Sequence, residues 1–284
     1  MTVCIAAINH SNPRPYIIAS CDRKISFFGG WASADGVAMK ISGLNRDWAV
    51  MFAGPVSPMT AMVEAMAMRT KRVRPMNFLA FSRLCREVYQ EERKKLIENE
   101  ILGDYDINSY DEYMELKKSD PEYFEQLRAK VREEESGWNL LFTGFDKNGN
   151  AHLFVISEHG KISYCDKQGY AAIGSGAVRA ALALSSYGFR SDLPFSKAIF
   201  GMVAAKFAAE SADGVGEETI LTVMESKSDK SPVFDSYQVK KLREMWEQLP
   251  RFPGNEATEQ IWAQLSMFQT FGYWGVNNPP PKKQ

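Results

Sequence analysis

The order of strand-like and helix-like segments predicts an α+β layered fold, in which antiparallel sheets are stacked between helices. Strand patterns and helix patterns come in separate blocks along the chain, in the order strands, helices, strands, helices, strand. Segregated blocks favour antiparallel sheets over the alternating units of a parallel, doubly wound sheet. With 284 residues, 45% of them hydrophobic and 24% charged, the chain is long and apolar enough to form a large core.

The first block of strands contains two predicted strand pairs. Residues 3–8 form an unbroken apolar run, which is typical of a strand buried on both faces, and residues 16–20 return as its partner after the turn at 11–15. Residues 37–42 and 47–54 form the second pair. The chain therefore begins inside the core.

Helices are predicted next. Ser57 and Pro58 suit a helix N-cap and a first-turn proline, followed by a helix over residues 59–68. From about residue 77 to 136, charged residues alternate with apolar residues at helical spacing, which predicts a helical insertion. We interpret its charged faces as a solvated, salt-bridged surface in preference to a dedicated docking surface.

Strands resume at residues 138–145 and form a meander through 151–156 and 161–165. The intervening DKNGN stretch resembles the start of a calcium loop, but Ala151 and Ser157 occupy the positions of its glycine and glutamate, so a hairpin turn is the better interpretation.

Two apolar helices and a last strand complete the pattern. The helices are predicted over residues 174–189 and 194–210, and the strand over 218–225. The GSGAVR stretch that opens the first of these helices lacks the third glycine of a dinucleotide-binding loop, and its Ser175 is expected to be a helix N-cap.

Composition and motifs argue against several classes of function. A net charge of −1 gives no reason to expect nucleic acid or an anionic membrane as a partner. The absence of a long apolar segment and of a secretion signal predicts a cytoplasmic protein. Neither a zinc site nor a disulfide framework is expected from four scattered cysteines, and no motif calls for a cofactor. Scattered histidines and the lack of a G-x-S-x-G sequence disfavour a Ser-His-Asp triad.

Thr2 offers a different nucleophile. If Met1 is removed, which a small second residue permits, this threonine carries a hydroxyl and a free α-amino group on one residue. An α-amino group has a pKa of about 8, so it can accept the hydroxyl proton where histidine is lacking.

An ordered set of segments carries a family resemblance. It comprises TVCIAAI, IIASCDRKI, AMKIS, AVMFAGP, LLFTGFDKNGNAHLFVISEHGKI and AAIGSGAVRAALAL. In this order they resemble the β-subunits of the proteasome and their bacterial relatives, which are N-terminal-nucleophile (Ntn) hydrolases. The resemblance implies a four-layer αββα sandwich over residues 2–225, with the insertion at about 77–136, and it leaves 226–284 as a C-terminal helical extension and flexible tail.

The resemblance also implies site residues. Thr2 would be the nucleophile, Asp22 the orienting carboxylate and Lys40 the ammonium that lowers the pKa of the threonine hydroxyl. Gly54 would donate its backbone N–H to the oxyanion, and Ser175 would relay protons beside the threonine amine. The chemistry is coherent, because a cation favours an alkoxide and a fixed N–H stabilises the developing negative charge.

Two further sets follow from the same alignment. The chain has Ser211 and Gly214 where the family has an aspartate and a serine, and Asp213 is expected to substitute from a shifted position. Ala38, Phe52 and Val56 would line the pocket for the side chain that precedes the scissile bond.

The predicted function is that of a threonine-type peptidase or amidase, which acts on a peptide or protein and assembles as a homo-oligomeric ring. The ring size and any ATPase partner stay open. Two alternatives remain: a catalytically silent ring or scaffold subunit, and a small-amide acylase on the same fold.

Overall fold

The structure is a computed structural model that describes residues 2–11, 14–27, 32–34, 36, 39–71, 76–135, 137–226 and 231–248. Its strands are β1 Cys4–Asn9, β2 Tyr16–Asp22, β3 Ile25–Phe27, β4 Ala32–Ala34, β5 Ile41–Gly43, β6 Trp48–Ala53, β7 Asn139–Phe145, β8 Ala151–Ser157, β9 Lys161–Tyr164, β10 Tyr170–Ile173 and β11 Thr219–Glu225. Its α-helices are α1 Val56–Thr70, α2 Phe78–Glu100, α3 Tyr110–Ser119, α4 Pro121–Glu134, α5 Ala177–Ser186, α6 Phe195–Ala209 and α7 Ser236–Glu247.

Two antiparallel sheets form the centre of the fold. One has the strand order β10-β1-β2-β11 and the other β5-β6-β7-β8-β9, with β3 and β4 forming a separate small ribbon. All six residues of β1 are buried, which confirms the prediction of a strand covered on both faces. The register of β1 and β2 pairs Cys4 with Cys21, so it brings the head of β1 beside the end of β2.

Strand β1 explains the layering, because side chains alternate between the two faces of a strand. Val3, Ile5 and Ala7 pack in a core with helices α5, α6 and α7. The alternate residues from Cys4 to Ile8 pack against the five-stranded sheet. An unbroken apolar run is therefore what both of its neighbouring layers require.

The five-stranded sheet has the same two-sided character. In β6, Ala49 and Met51 face the other sheet, whereas Val50 and Phe52 pack beneath α1 and α2. The order of layers is helices, sheet, sheet, helices. This four-layer αββα sandwich confirms the predicted fold class.

The insertion is helical, as predicted, and contains a core of its own. The first part of α2 packs on the five-stranded sheet. The end of α2 joins α3 and α4 around a separate cluster that includes Leu102, Tyr113 and Leu127. Arg93 and the fully buried Glu135 form an ion pair at its base. The insertion is thus a packed helical unit with a charged exterior.

Local boundaries differ from the predictions at several places, among them β5, which is Ile41–Gly43 where a strand over 37–42 was predicted. Helix α1 begins at Val56 after Pro55, not at a Ser57 cap, because Pro55 already has the extended ψ of a residue that precedes a helix. The prediction missed strand β10, because this strand has only four residues and lies between two turns. Ser175 is not the N-cap of α5; Gly176 occupies that position, and the serine hydroxyl is used elsewhere.

Helix α7 accounts for the first part of the predicted C-terminal extension. A capping box between Asp235 and Gln238 begins it. The rest of the extension lies outside the described residues. No helix among the described residues has the length and apolar character needed to cross a membrane.

Candidate active site

Thr2 lies at the head of β1, where its backbone is held from two sides. The Thr2 carbonyl accepts a hydrogen bond from Gly176 N at 3.1 Å, and the next residue, Val3, donates its N–H to Asp22 Oδ1 at 2.8 Å. The residue is only 3% exposed. Its hydroxyl is therefore fixed in a buried position.

Asp22 ends β2 and faces Thr2 because the register of the hairpin places it opposite Val3. The carboxylate is completely buried and accepts hydrogen bonds from the Thr2 hydroxyl, the Lys40 ammonium and the backbone N–H groups of Val3, Lys24 and Gly216. Five donors compensate for much of the cost of burying an ionised carboxylate. Asp22 is thus the centre of the polar network.

Lys40 immediately precedes β5 and is 4% exposed. Its Nζ lies 2.8 Å from Asp22 Oδ2 and also contacts the Thr2 hydroxyl oxygen. The Lys40 backbone is anchored, because its carbonyl accepts a hydrogen bond from Phe52 N at 3.2 Å. A buried ammonium in contact with a hydroxyl favours the alkoxide form of that hydroxyl.

Ser175 approaches Thr2 from the turn between β10 and α5. The Thr2 nitrogen, which is a peptide N–H while Met1 precedes it, donates to Ser175 Oγ at 3.2 Å. The serine hydroxyl lies 3.3 Å from the carbonyl oxygens of both Thr2 and Asp213. It has one proton, so it donates to one of these carbonyls at a time.

The glycines on either side of Ser175 make this approach possible. Gly174 has a φ of +93°, and a Cβ there would lie 2.3 Å from the Thr2 carbonyl oxygen. A Cβ on Gly176 would lie 2.9 Å from Val3 Cβ. The GSG sequence is thus a steric requirement of the site.

The structure locates the other predicted site residues as follows. Gly54 follows β6 with a φ of +134°, a backbone conformation that favours glycine, and its role at the oxyanion stays a prediction. Asp213 has an exposed side chain and reaches Ser175 with its backbone carbonyl. In the same loop, the Ser211 hydroxyl donates to the Ala208 carbonyl at 2.8 Å.

The three predicted pocket residues have different environments. Phe52 is 7% exposed and contributes to the core beneath α1. Val56 is 38% exposed at the first residue of α1, two residues after Gly54. Ala38 lies outside the described residues. The assignment of these residues to a substrate pocket therefore remains a prediction.

Two polar groups near the site were missed by sequence reasoning. Gly216 donates its backbone N–H to Asp22 Oδ2 at 3.3 Å. Lys206 is fully buried in α6 and donates to the Gly216 carbonyl at 2.8 Å. A signal was present for the second, since Lys206 interrupts the apolar run of residues 198–209, and a lysine in such a run needs a buried partner such as Glu210, four residues later.

A pair of thiols lies directly behind the polar network. Cys4 and Cys21 are opposite each other in β1 and β2, and both are buried. Burial, followed by the neighbouring Cys21 thiol, raises the pKa of Cys4 well above its ordinary value. Cys4 is therefore a neutral thiol and a poor rival to Thr2 as nucleophile.

Comparisons with known proteins bear on the fold. No protein-family model matches the chain, and no curated protein matches it with significance. Among solved structures, a mutant of Anbu from Hyphomicrobium sp. strain MC1 matches over 98% of this chain and 100% of its own, with a TM-score of 0.60 and 14% identity. At this identity the likeness bears on the fold alone, and it supports the four-layer αββα sandwich that was predicted.

Proposed function

We propose that the protein is a threonine-type peptidase or amidase whose nucleophile is Thr2, freed by cleavage of the bond to Met1. One observation carries the proposal: the Thr2 hydroxyl contacts both Asp22 and Lys40, while the nitrogen of the same residue contacts Ser175. These are the groups that an N-terminal nucleophile needs, namely a cation, a carboxylate that fixes the cation and a polar partner for the amine.

The proposed reaction begins when the free Thr2 amine accepts the hydroxyl proton, with Ser175 orienting that amine. The Thr2 oxygen attacks the carbonyl carbon of the substrate amide, and the Lys40 ammonium stabilises the oxygen as its negative charge develops. The tetrahedral oxyanion accepts a hydrogen bond from the Gly54 N–H.

Collapse of this intermediate breaks the C–N bond of the substrate. The departing nitrogen takes the proton held by the Thr2 amine, and an ester joins the acyl group to the Thr2 oxygen. Water, activated by the same amine, then hydrolyses the ester and restores the hydroxyl. Asp22 keeps Lys40 charged and in place throughout.

The decisive experiment is covalent capture of Thr2. The protein purified from its own host is expected to lack Met1 by intact-mass spectrometry. A peptide epoxyketone, which forms a ring with the hydroxyl and the amine of one residue, should add one inhibitor per chain at Thr2. Retention of Met1 together with no adduct would overturn the proposal and favour the silent-subunit alternative.

Substitution of the nucleophile gives a matched comparison. Thr2→Ala should lower hydrolysis of acyl-aminocoumarin peptides by about 10³-fold or more, because it removes the attacking oxygen. Thr2→Ser keeps the hydroxyl and the amine and should retain part of the activity. Equal activity of the wild type and Thr2→Ala would exclude Thr2 as nucleophile.

A further inference from the structure

The loop between α6 and β11 reaches the candidate site through two backbone groups, the Asp213 carbonyl beside Ser175 and the Gly216 N–H beside Asp22. Gly216 N donates to Asp22 Oδ2 at 3.3 Å. This loop is also where the chain departs from the resembled family, with Ser211 and Gly214 in place of an aspartate and a serine.

Lys206 holds the loop from the side of α6. Its ammonium is fully buried and donates to the backbone carbonyls of Gly216 and Glu217, each at 2.8 Å. It also pairs with Glu210, one helical turn later. Burial lowers the pKa of Lys206, and the charges of Glu210 and Asp22 act in the opposite direction. The buried cation thus needs these partners to stay charged.

Arg243 connects the same loop to α7. Its guanidinium donates to both carboxylate oxygens of Glu210 at 2.7 Å and to the Glu217 carbonyl at 3.1 Å. It also lies 4.0 Å from the centre of the Phe207 ring. A two-point arginine–carboxylate bond fixes direction as well as distance.

Helix α7 is itself anchored to the sheet that carries Asp22. Just before the helix, Phe234 N donates to the Leu221 carbonyl of β11 at 2.8 Å. Strand β11 pairs along its whole length with β2. Regular secondary structure therefore provides a second connection between Arg243 and Asp22, which runs through α7, β11 and β2.

We propose that Lys206, Glu210 and Arg243 form a positioning unit, which holds the Gly216 peptide so that its N–H orients the Asp22 carboxylate. Helix α7 then acts on the candidate site indirectly, because its Arg243 binds Glu210 and the Glu217 carbonyl and not Thr2 or Lys40. The kinetic consequence rests on the proposed function, but the structural consequence does not.

The structural consequence is tested by amide hydrogen exchange. Arg243→Ala should make the Gly216 amide exchange at least about tenfold faster while the β1 and β2 amides keep their protection. Lys241→Ala is the matched control, because Lys241 lies on the same helix and forms an exposed pair with Glu244. Unchanged exchange at Gly216 in Arg243→Ala would overturn the proposal.

The kinetic consequence is tested by the rate at which a peptide epoxyketone captures Thr2 in the full chain freed of Met1. Arg243→Ala should lower the covalent step at least about tenfold, as expected for a shift of the reacting groups, with the initial non-covalent affinity unchanged. Arg93→Ala breaks another arginine–glutamate pair, in the insertion, and should leave capture unchanged.

A second variant and the two separate readouts, exchange and capture, distinguish the possible outcomes. If Arg243→Ala fails to fold, Lys206→Met replaces the buried ammonium with an apolar chain of similar length, and Gly216 exchange must still rise. If the wild type is not captured at Thr2 while Gly216 exchange rises as expected, the proposed function fails and the positioning unit stands. If capture occurs and neither variant alters it, the positioning role fails.

Discussion

At the scale of single residues, the candidate site depends on two buried opposite charges and one hydroxyl. Asp22 and Lys40 are almost inaccessible to water, and burying charges is unfavourable unless they are paired and hydrogen-bonded. Here each charge has the other, and Asp22 has backbone N–H donors as well. These bonds offset the free-energy cost of burying the two charges, and the Lys40 ammonium remains in contact with Thr2.

This arrangement gives an expected outcome for Lys40→Ala. Capture of Thr2 by the epoxyketone should be lost, because no cation remains beside the hydroxyl. The free energy of unfolding should also fall by about 3–5 kcal/mol, since Asp22 keeps a buried charge without its partner. Both quantities can be measured on one preparation, by mass spectrometry and by urea unfolding.

A double variant separates the two effects. Lys40→Met combined with Asp22→Asn removes both charges but keeps an oxygen that accepts from the backbone N–H groups, so part of the lost stability should return. Capture of Thr2 should stay absent. Recovery of capture in the double variant would show that Lys40 acts only through stability.

At the scale of elements, the turn from β10 to α5 is the most constrained part of the site. Gly174 and Gly188 both have positive φ values, of +93° and +61°. Only Gly174 has a close neighbour, since a Cβ there would lie 2.3 Å from the Thr2 carbonyl oxygen, whereas nothing lies within 4 Å of a Cβ on Gly188. An alanine would thus be strained at either position, but only at Gly174 would it also clash with a neighbour.

Gly174→Ala should therefore be worse than Gly188→Ala. Backbone strain costs about 1–3 kcal/mol at either position. The clash at Gly174 adds to this cost and should displace Ser175 from the Thr2 nitrogen, so capture of Thr2 should fall in this variant alone. Equal melting temperatures and equal capture in the two variants would contradict the assigned packing of this turn.

Substrate specificity is predicted to depend on residues at the end of β6 and the start of α1. Phe52 and Val56 bring no charge to the proposed pocket, so cleavage should follow small or medium apolar side chains and not acidic ones. Val56→Lys should shift the preference toward acidic side chains in a peptide library. Met68→Lys, at a position of the same helix that is 73% exposed, is the control and should leave the preference unchanged.

The elements also indicate how far the sequence could predict this protein. Strands such as β1 and β6 were predictable because burial on both faces imposes an apolar run. Thr2, Asp22 and Lys40 were predicted to act together, and antiparallel pairing of β1 and β2 brings the first two into contact.

Other features were beyond the sequence because they arise from contacts between distant segments. From its local sequence Ser175 was expected to cap its own helix, whereas its hydroxyl accepts a hydrogen bond from Thr2 N, 173 residues away, a contact that only the family resemblance anticipated. The Gly216 N–H is a backbone group, so no residue type marks its role. Lys206 was recognisable as an unusual residue, but its partners are Glu210 and two backbone carbonyls of the following loop, whose position depends on how the loop folds back. Arg243 binds the same Glu210 only because α7 docks against α6.

At the scale of the whole molecule, four layers bring the ends of two strands, one turn and one loop to Thr2. Three of these segments contribute backbone N–H groups, from Val3, Gly176 and Gly216. Hydrogen bonds between backbone segments tolerate changes of side chain. This explains how a chain with only 14% identity to Anbu retains the same architecture.

The assembly state is the remaining prediction at this scale. We expect a homo-oligomer, because the resembled proteasome subunits enclose their nucleophiles in a chamber and this chain exposes large apolar side chains, among them Val178 at 70% and Leu182 at 63%. Burial of each such side chain between subunits would contribute about 1.5–3 kcal/mol. Light scattering at micromolar concentration should therefore give a mass several times that of one chain.

A chamber has a further consequence for substrates, and this distinguishes the peptidase from the small-amide acylase. Short peptides should be cleaved, whereas a folded protein that contains the same sequence should be cleaved only after it is unfolded, because the walls of a ring exclude it. The control is a peptide and a reduced, unfolded form of the same protein at equal concentration. A monomer that hydrolyses small amides but cleaves neither the short peptide nor the unfolded protein would contradict the ring and favour the acylase. An acylase with an open site and a shallow pocket needs no enclosure.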